Sequence, residues 1–112
     1  MKLYRARIPA IANHVISELV NGGDIEVEPE NHGEAELDLV SIMEEYLRRD
    51  FQLRERVKEQ MSIASVGYDQ YGKWRSRLAE EWNHPTGEAV SKFLARQFIE
   101  NFMISRFVEE VF

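Results

Sequence analysis

The chain has 112 residues, 44% apolar and 30% charged, which fits one small folded domain and argues against disorder. It has no cysteine, which removes disulfide and thiolate chemistry and suits a reducing compartment. Its net charge of −6 is unevenly spread: residues 1–7 carry three basic groups and no acid, 8–47 carry ten acids and neither Lys nor Arg, and 48–77 carry eight basic groups against four acids. Such segregation implies pairing between blocks of one chain, or two surfaces with different partners.

Residues 2–8 read as a short extended piece, apolar at Leu3, Tyr4 and Ile8 with Lys2, Arg5 and Arg7 between them. The start lacks the apolar run of a signal peptide, and no stretch is apolar for long enough to span a bilayer. A cytoplasmic protein without membrane contact is expected. Pro9 suits the first turn of a helix, where its missing N–H is no loss. Ile8, Ile11, Ala12, Val15, Ile16, Leu19 and Val20 then follow helical spacing closely, until Asn21-Gly22-Gly23 offers a glycine for the left-handed cap. Asp24–Pro29 alternates charged and apolar residues, as a half-buried strand does. Its acidic face is complementary to Lys2, Arg5 and Arg7, which suggests a two-stranded ribbon near the N-terminus.

The segment from Glu34 to about Ala64 has no Gly or Pro and is rich in strong helix formers. Leu39, Val40, Met43, Tyr46 and Leu47 give it a broad apolar stripe, which narrows to Leu53, Val57, Met61 and Ala64. A narrow seam suits one partner helix, and about thirty residues would span roughly 45 Å. The far half is therefore expected to project as one arm of a hairpin. Ser65-Val66-Gly67-Tyr68 reads as the helix end, with Gly67 left-handed and Tyr68 packing back. Asp69 can cap a third helix with Tyr71, Trp74, Leu78 and Trp82 on one stripe. Asn83–Gly87 is a turn. Thr86 can then cap a last helix that is apolar around most of its circumference through Val111.

The chemistry of enzymes is hard to find. The acidic run from Asp24 to Asp38 lacks the ligand spacing of a calcium loop. His14 and Glu18 share a helix face, but His32 and His84 are unaccompanied, too few for zinc. Glu44-Glu45 and Glu80-Glu81 point to different helix faces, and no nucleophile–base pattern or phosphate loop occurs. No enzyme, metal or cofactor is expected. The basic block has more substance. Arg48, Arg49, Arg54, Arg56 and Lys58 lie on the long helix, and Lys73, Arg75 and Arg77 on the next, with Tyr68, Tyr71 and Trp74 between. These are candidate phosphate contacts for RNA or DNA, although Asp50, Glu55, Glu59 and Asp69 interrupt the patch and the chain as a whole is acidic. An ion-paired hairpin is the plainer reading.

Met1-Lys2-Leu3-Tyr4-Arg5 with Ile8-Pro9, Gly23-Asp24-Ile25-Glu26-Val27, Glu45-Tyr46-Leu47-Arg48, Leu78-Ala79-Glu80-Glu81 and Val108-Glu109-Glu110-Val111-Phe112 occur in this order. On these segments the chain resembles a bacterial family catalogued as domain of unknown function 507. The resemblance implies a small cytoplasmic bacterial protein and transfers no catalytic residue. It also implies that longer members continue past the Val-Glu-Glu-Val segment, so that here a partner is expected to cover the last helix. The expected architecture is one all-α domain of about four helices. A ribbon and helix occupy 1–33, the long helix 34–66 and two further helices 68–112. The expected function is a non-enzymatic protein–protein interaction module that self-associates, with Phe98, Phe102 and Phe107 as anchors. The alternative is a nucleic-acid-associated factor using the basic hairpin.

Overall fold

A computed structural model of the chain describes residues 2–112. Four helices, α1 (Ile8–Asn21), α2 (His32–Ala64), α3 (Tyr71–Glu81) and α4 (Ala89–Ile104), make up most of it, with two-residue strands β1 (Ile25–Glu26) and β2 (Glu110–Val111). The all-helical class and the small ribbon are as the sequence predicts. The ribbon's partner is not. Arg5–Arg7 forms a 3₁₀ turn leading straight into α1, which leaves no extended edge there. β1 instead pairs antiparallel with β2, Ile25 opposite Val111 and Glu26 opposite Glu110. Flanking bonds from the Glu109 amide to the Glu26 carbonyl (2.8 Å) and from Phe112 to Asp24 (2.9 Å) extend the ladder. So short a ribbon persists because Ile25, Val27 and Val108 are buried in the core beneath it.

The last helix therefore stops earlier than its apolar pattern suggests. Ser105 is extended (φ −71°, ψ 131°) and ends α4. Its hydroxyl accepts the Phe107 amide at 3.1 Å and donates to Asp38 at 3.3 Å, which turns the chain toward β2. Phe107 lies beyond the helix, half-buried, with the Arg106 guanidinium over its ring.

Three helices end in the same way. Each places a left-handed residue after its last turn, with paired amide bonds back to the final carbonyls, the pattern of a Schellman cap. Gly23 (φ 76°) does this for α1, as predicted. At the end of α2 the left-handed residue is Ser65 (φ 55°), not Gly67, and Val66 rather than Tyr68 packs back. At the end of α3 it is Asn83 (φ 52°), whose turn sends the next residue, His84, inward. Neither Asp69 nor Thr86 caps a helix; α3 and α4 start without a side-chain cap.

Two apolar clusters share α2. The body gathers Ile8, Ala12 and Ile16 of α1, Leu39 and Met43 of α2, and Val90, Leu94, Phe98 and Phe102 of α4. The hairpin gathers Leu53, Val57 and Met61 of α2 with Leu78 and Ala79 of α3, and Trp74 and Trp82 flank them. The molecule is long, 55 × 23 × 20 Å, because the hairpin projects from the body as expected.

Candidate functional site

Where the two clusters meet, the buried stripe of α2 carries an acid. Leu39, Met43, Tyr46, Asp50, Leu53, Val57 and Met61 follow one another in three- and four-residue steps, and all are buried, Asp50 to 3% exposure. A carboxylate in such a place must be fully partnered. Its Oδ1 accepts from His84 Nε2 at 2.9 Å and from Arg75 at 3.3 Å, and its Oδ2 meets Arg54 at 2.6 Å. Because an ionised carboxylate only accepts, the His84 proton sits on Nε2. Burial pushes the Asp50 carboxyl up, but the bond from His84 and the charges of Arg54 and Arg75 outweigh it. The net result lies below the ordinary carboxylate value.

His84 is equally enclosed. Its ring stacks on Tyr46 at 4.7 Å between centroids, nearly parallel. The Tyr46 hydroxyl donates to the Pro85 carbonyl at 2.8 Å, and burial followed by the Asp50 charge raises its pKa, so it remains a donor. Arg49 donates to the Trp82 carbonyl at 2.6 Å and lies over the Trp82 ring. These contacts tie α2 to the turn between α3 and α4. Among the described residues, no buried side-chain nitrogen or oxygen lacks a hydrogen-bond partner.

On one side of this joint opens a cleft of about 530 Å³. Lys2, Arg54, Lys58 and Arg75 bring four cations to its wall, with Asp50 as the one carboxylate, and Tyr68 and Tyr71 stand beside them. The two tyrosine rings stack at 5.3 Å. A second concavity, of about 350 Å³, lies between α1 and α4 with Met43 at its floor, and nearly all its lining is apolar.

The structure divides the residues singled out by sequence. Of the candidate phosphate contacts, Arg54, Lys58 and Arg75 meet in the cleft. Arg48 pairs with Glu45, Arg56 with Glu59 at 3.0 Å, and Lys58 also with Glu55 at 3.6 Å. Arg49 and Arg77 cover tryptophan rings, and Lys73 is exposed. The eight do not form one surface. Phe98 and Phe102, expected as partner anchors, belong to the body core and reach the surface only as part of the lining of that apolar concavity. Ile99, Met103 and Ile104 are the exposed apolar residues of α4 instead. Sequence reading missed Asp50 and His84. The signal for Asp50 was its register on the apolar stripe, four residues after Tyr46 and three before Leu53. His84 carried none, since only the left-handed turn at Asn83 brings it to Asp50.

Among the described residues, no group of three or more His, Asp or Glu is placed to hold a metal ion, and no helix is long and apolar enough to cross a membrane. The fold and its joint define a class: a small all-helical body from which a two-helix arm projects across a buried polar junction. The chain belongs to the family described as protein of unknown function DUF507, whose family model matches residues 1–112. No curated protein and no solved structure matches it.

Proposed function

We propose that this protein is a non-enzymatic helical interaction module that pairs with a second copy of itself through the groove between α1 and α4. The observation that carries this reading is the apolar lining of that groove, formed by Ile11, Val15, Leu94, Phe98 and Phe102 with Ile99 at the rim. One turn beyond Ile99 on the same side of α4, Met103 stands 72% exposed. Groove and ridge on the same face of one chain are what a two-fold, self-complementary contact requires. Glu18 on α1 and Arg96 on α4 are exposed on the two helices that form the groove. The nucleic-acid alternative draws less support, because Arg48 and Arg56 pair with neighbouring acids, Arg49 is engaged by Trp82 and the eight basic residues do not form one surface.

Analytical ultracentrifugation tests the proposal. The wild type should sediment as a concentration-dependent dimer, and Ile99→Asp with Met103→Asp should give a folded monomer, since exposed substitutions cost the fold little. A wild-type monomer up to about 100 µM overturns the reading.

A further inference from the structure

We infer that the cleft beside Asp50 is a binding site for a small organic phosphate carrying a planar ring, of the size and chemistry of a mononucleotide. Three features support this, and none depends on the α1–α4 groove. The first is charge. In a chain of net charge −6, the cleft wall holds Lys2, Arg54, Lys58 and Arg75 against the single carboxylate of Asp50, a local excess of three positive charges. The cations come from three separate segments, the N-terminus, α2 and α3, so the fold assembles what no run of sequence contains.

The second feature is preorganisation. Asp50 is already satisfied by His84, Arg54 and Arg75, so it holds the two guanidinium groups in place while neutralising only one of them. Each guanidinium retains donors beyond the one Asp50 takes, and a planar fork of donors matches phosphate oxygens. Lys58 adds a point charge, since its 3.6 Å pair with Glu55 is exposed on both sides and opens at little cost. Arg75, the least exposed of these cations, sits deepest.

The third feature is the platform. Tyr68 is 76% exposed yet does not pack back on the hairpin cluster; it stacks on Tyr71 at the cleft instead. Half-buried Tyr71 holds one face of Tyr68, and the exposed Tyr68 ring gives a planar group a surface to stack on, next to the cations that would hold its phosphate. Leu3, Leu47 and Val90 complete the wall with apolar area. A volume of about 530 Å³ lies in the range of small-ligand sites.

Calorimetric titration of the full chain at low salt with AMP, inorganic phosphate and adenosine tests the site. The variants are Lys58→Gln and Tyr68→Ala, both surface changes away from the Asp50 bonds, with circular dichroism to establish that they fold. AMP should bind more tightly than phosphate or adenosine, because only AMP engages cations and rings together. Tyr68→Ala should weaken AMP about tenfold without changing inorganic phosphate. Lys58→Gln should weaken both and flatten the salt dependence. Failure of AMP to bind at up to about 10 mM overturns the inference. So does binding that neither variant alters. A 5′-phosphorylated single-stranded oligonucleotide serves as the further arm: if it binds and AMP does not, the cleft reads a polymer and the small-ligand assignment is wrong.

Discussion

At the scale of the residue, Asp50 governs the junction. Its neighbours are not independent: His84, Arg54 and Arg75 all lean on one carboxylate, and removing that charge leaves donors facing a vacancy. Asp50→Asn should cost about 2–3 kcal/mol by denaturant unfolding, less than the loss of a fully enclosed ion pair, because both arginines can turn toward water. Asp50 also predicts a pH dependence. Its carboxyl is held below the ordinary value of 3.8, so its contribution is complete above that value and is lost as pH falls through the lower folded-state value. The stability gap between wild type and Asp50→Asn should thus narrow as pH falls below about 4. A gap that is unchanged by acid would mean that the carboxylate is not what the partners hold. The sequence made Asp50 visible only as an interruption in a basic patch. Its register on the stripe is an unambiguous marker once the stripe is written out, whereas His84 depends on a left-handed turn at Asn83, which the residue type permits without saying where the next side chain goes.

At the scale of the element, periodicity served where a helix packs on one face and failed where side chains redirect the backbone. The stripes of α1, of α2 as far as Met61 and of Tyr71–Trp82 appear as written in the sequence, while Ala64, expected at the end of the α2 stripe, is exposed. The end of α4 does not, because the Ser105 hydroxyl competes for the backbone and the apolar residues that follow serve a strand rather than a helix. The pairing of β1 was hidden for a related reason: charge complementarity favours residues 2–7, but Arg5–Arg7 is taken up in a 3₁₀ turn, and the ladder that forms sets Glu26 against Glu110. Like charges across a pair are unfavourable, so Glu110→Lys should stabilise the protein by about 0.2–1 kcal/mol, measured as a higher melting temperature at low salt that fades as salt is added. Ser65 pays a backbone penalty at φ 55° that glycine avoids, and Ser65→Gly should raise stability by up to about 1 kcal/mol. A lower melting temperature would contradict the left-handed assignment.

At the scale of the whole molecule, two clusters on one helix make the chain longer than its residue count requires. The Cα radius of gyration is 17.3 Å, where a compact chain of this length would have about 13 Å. Small-angle scattering of the monomeric Ile99→Asp, Met103→Asp variant should return the larger value; the smaller one would place the hairpin folded back on the body. The hairpin cluster is the smaller of the two and reaches the body through α2 and the turn contacts of His84 and Arg49. Amides of α3 should accordingly exchange with solvent faster than those of α1, and Asp50→Asn should widen the difference. Equal protection across both would show a single cooperative unit.

The continuity of α2 has one more consequence. From Asp50 to Ala64 the helix runs without glycine or proline for about 21 Å, so it behaves as a lever with its fulcrum at the joint. A tilt of about 5° at the fulcrum would carry the tip at Ser65–Gly67 through about 2 Å. A group that pulls on Arg54 or Arg75 would then be felt at the far end of the arm as displacement.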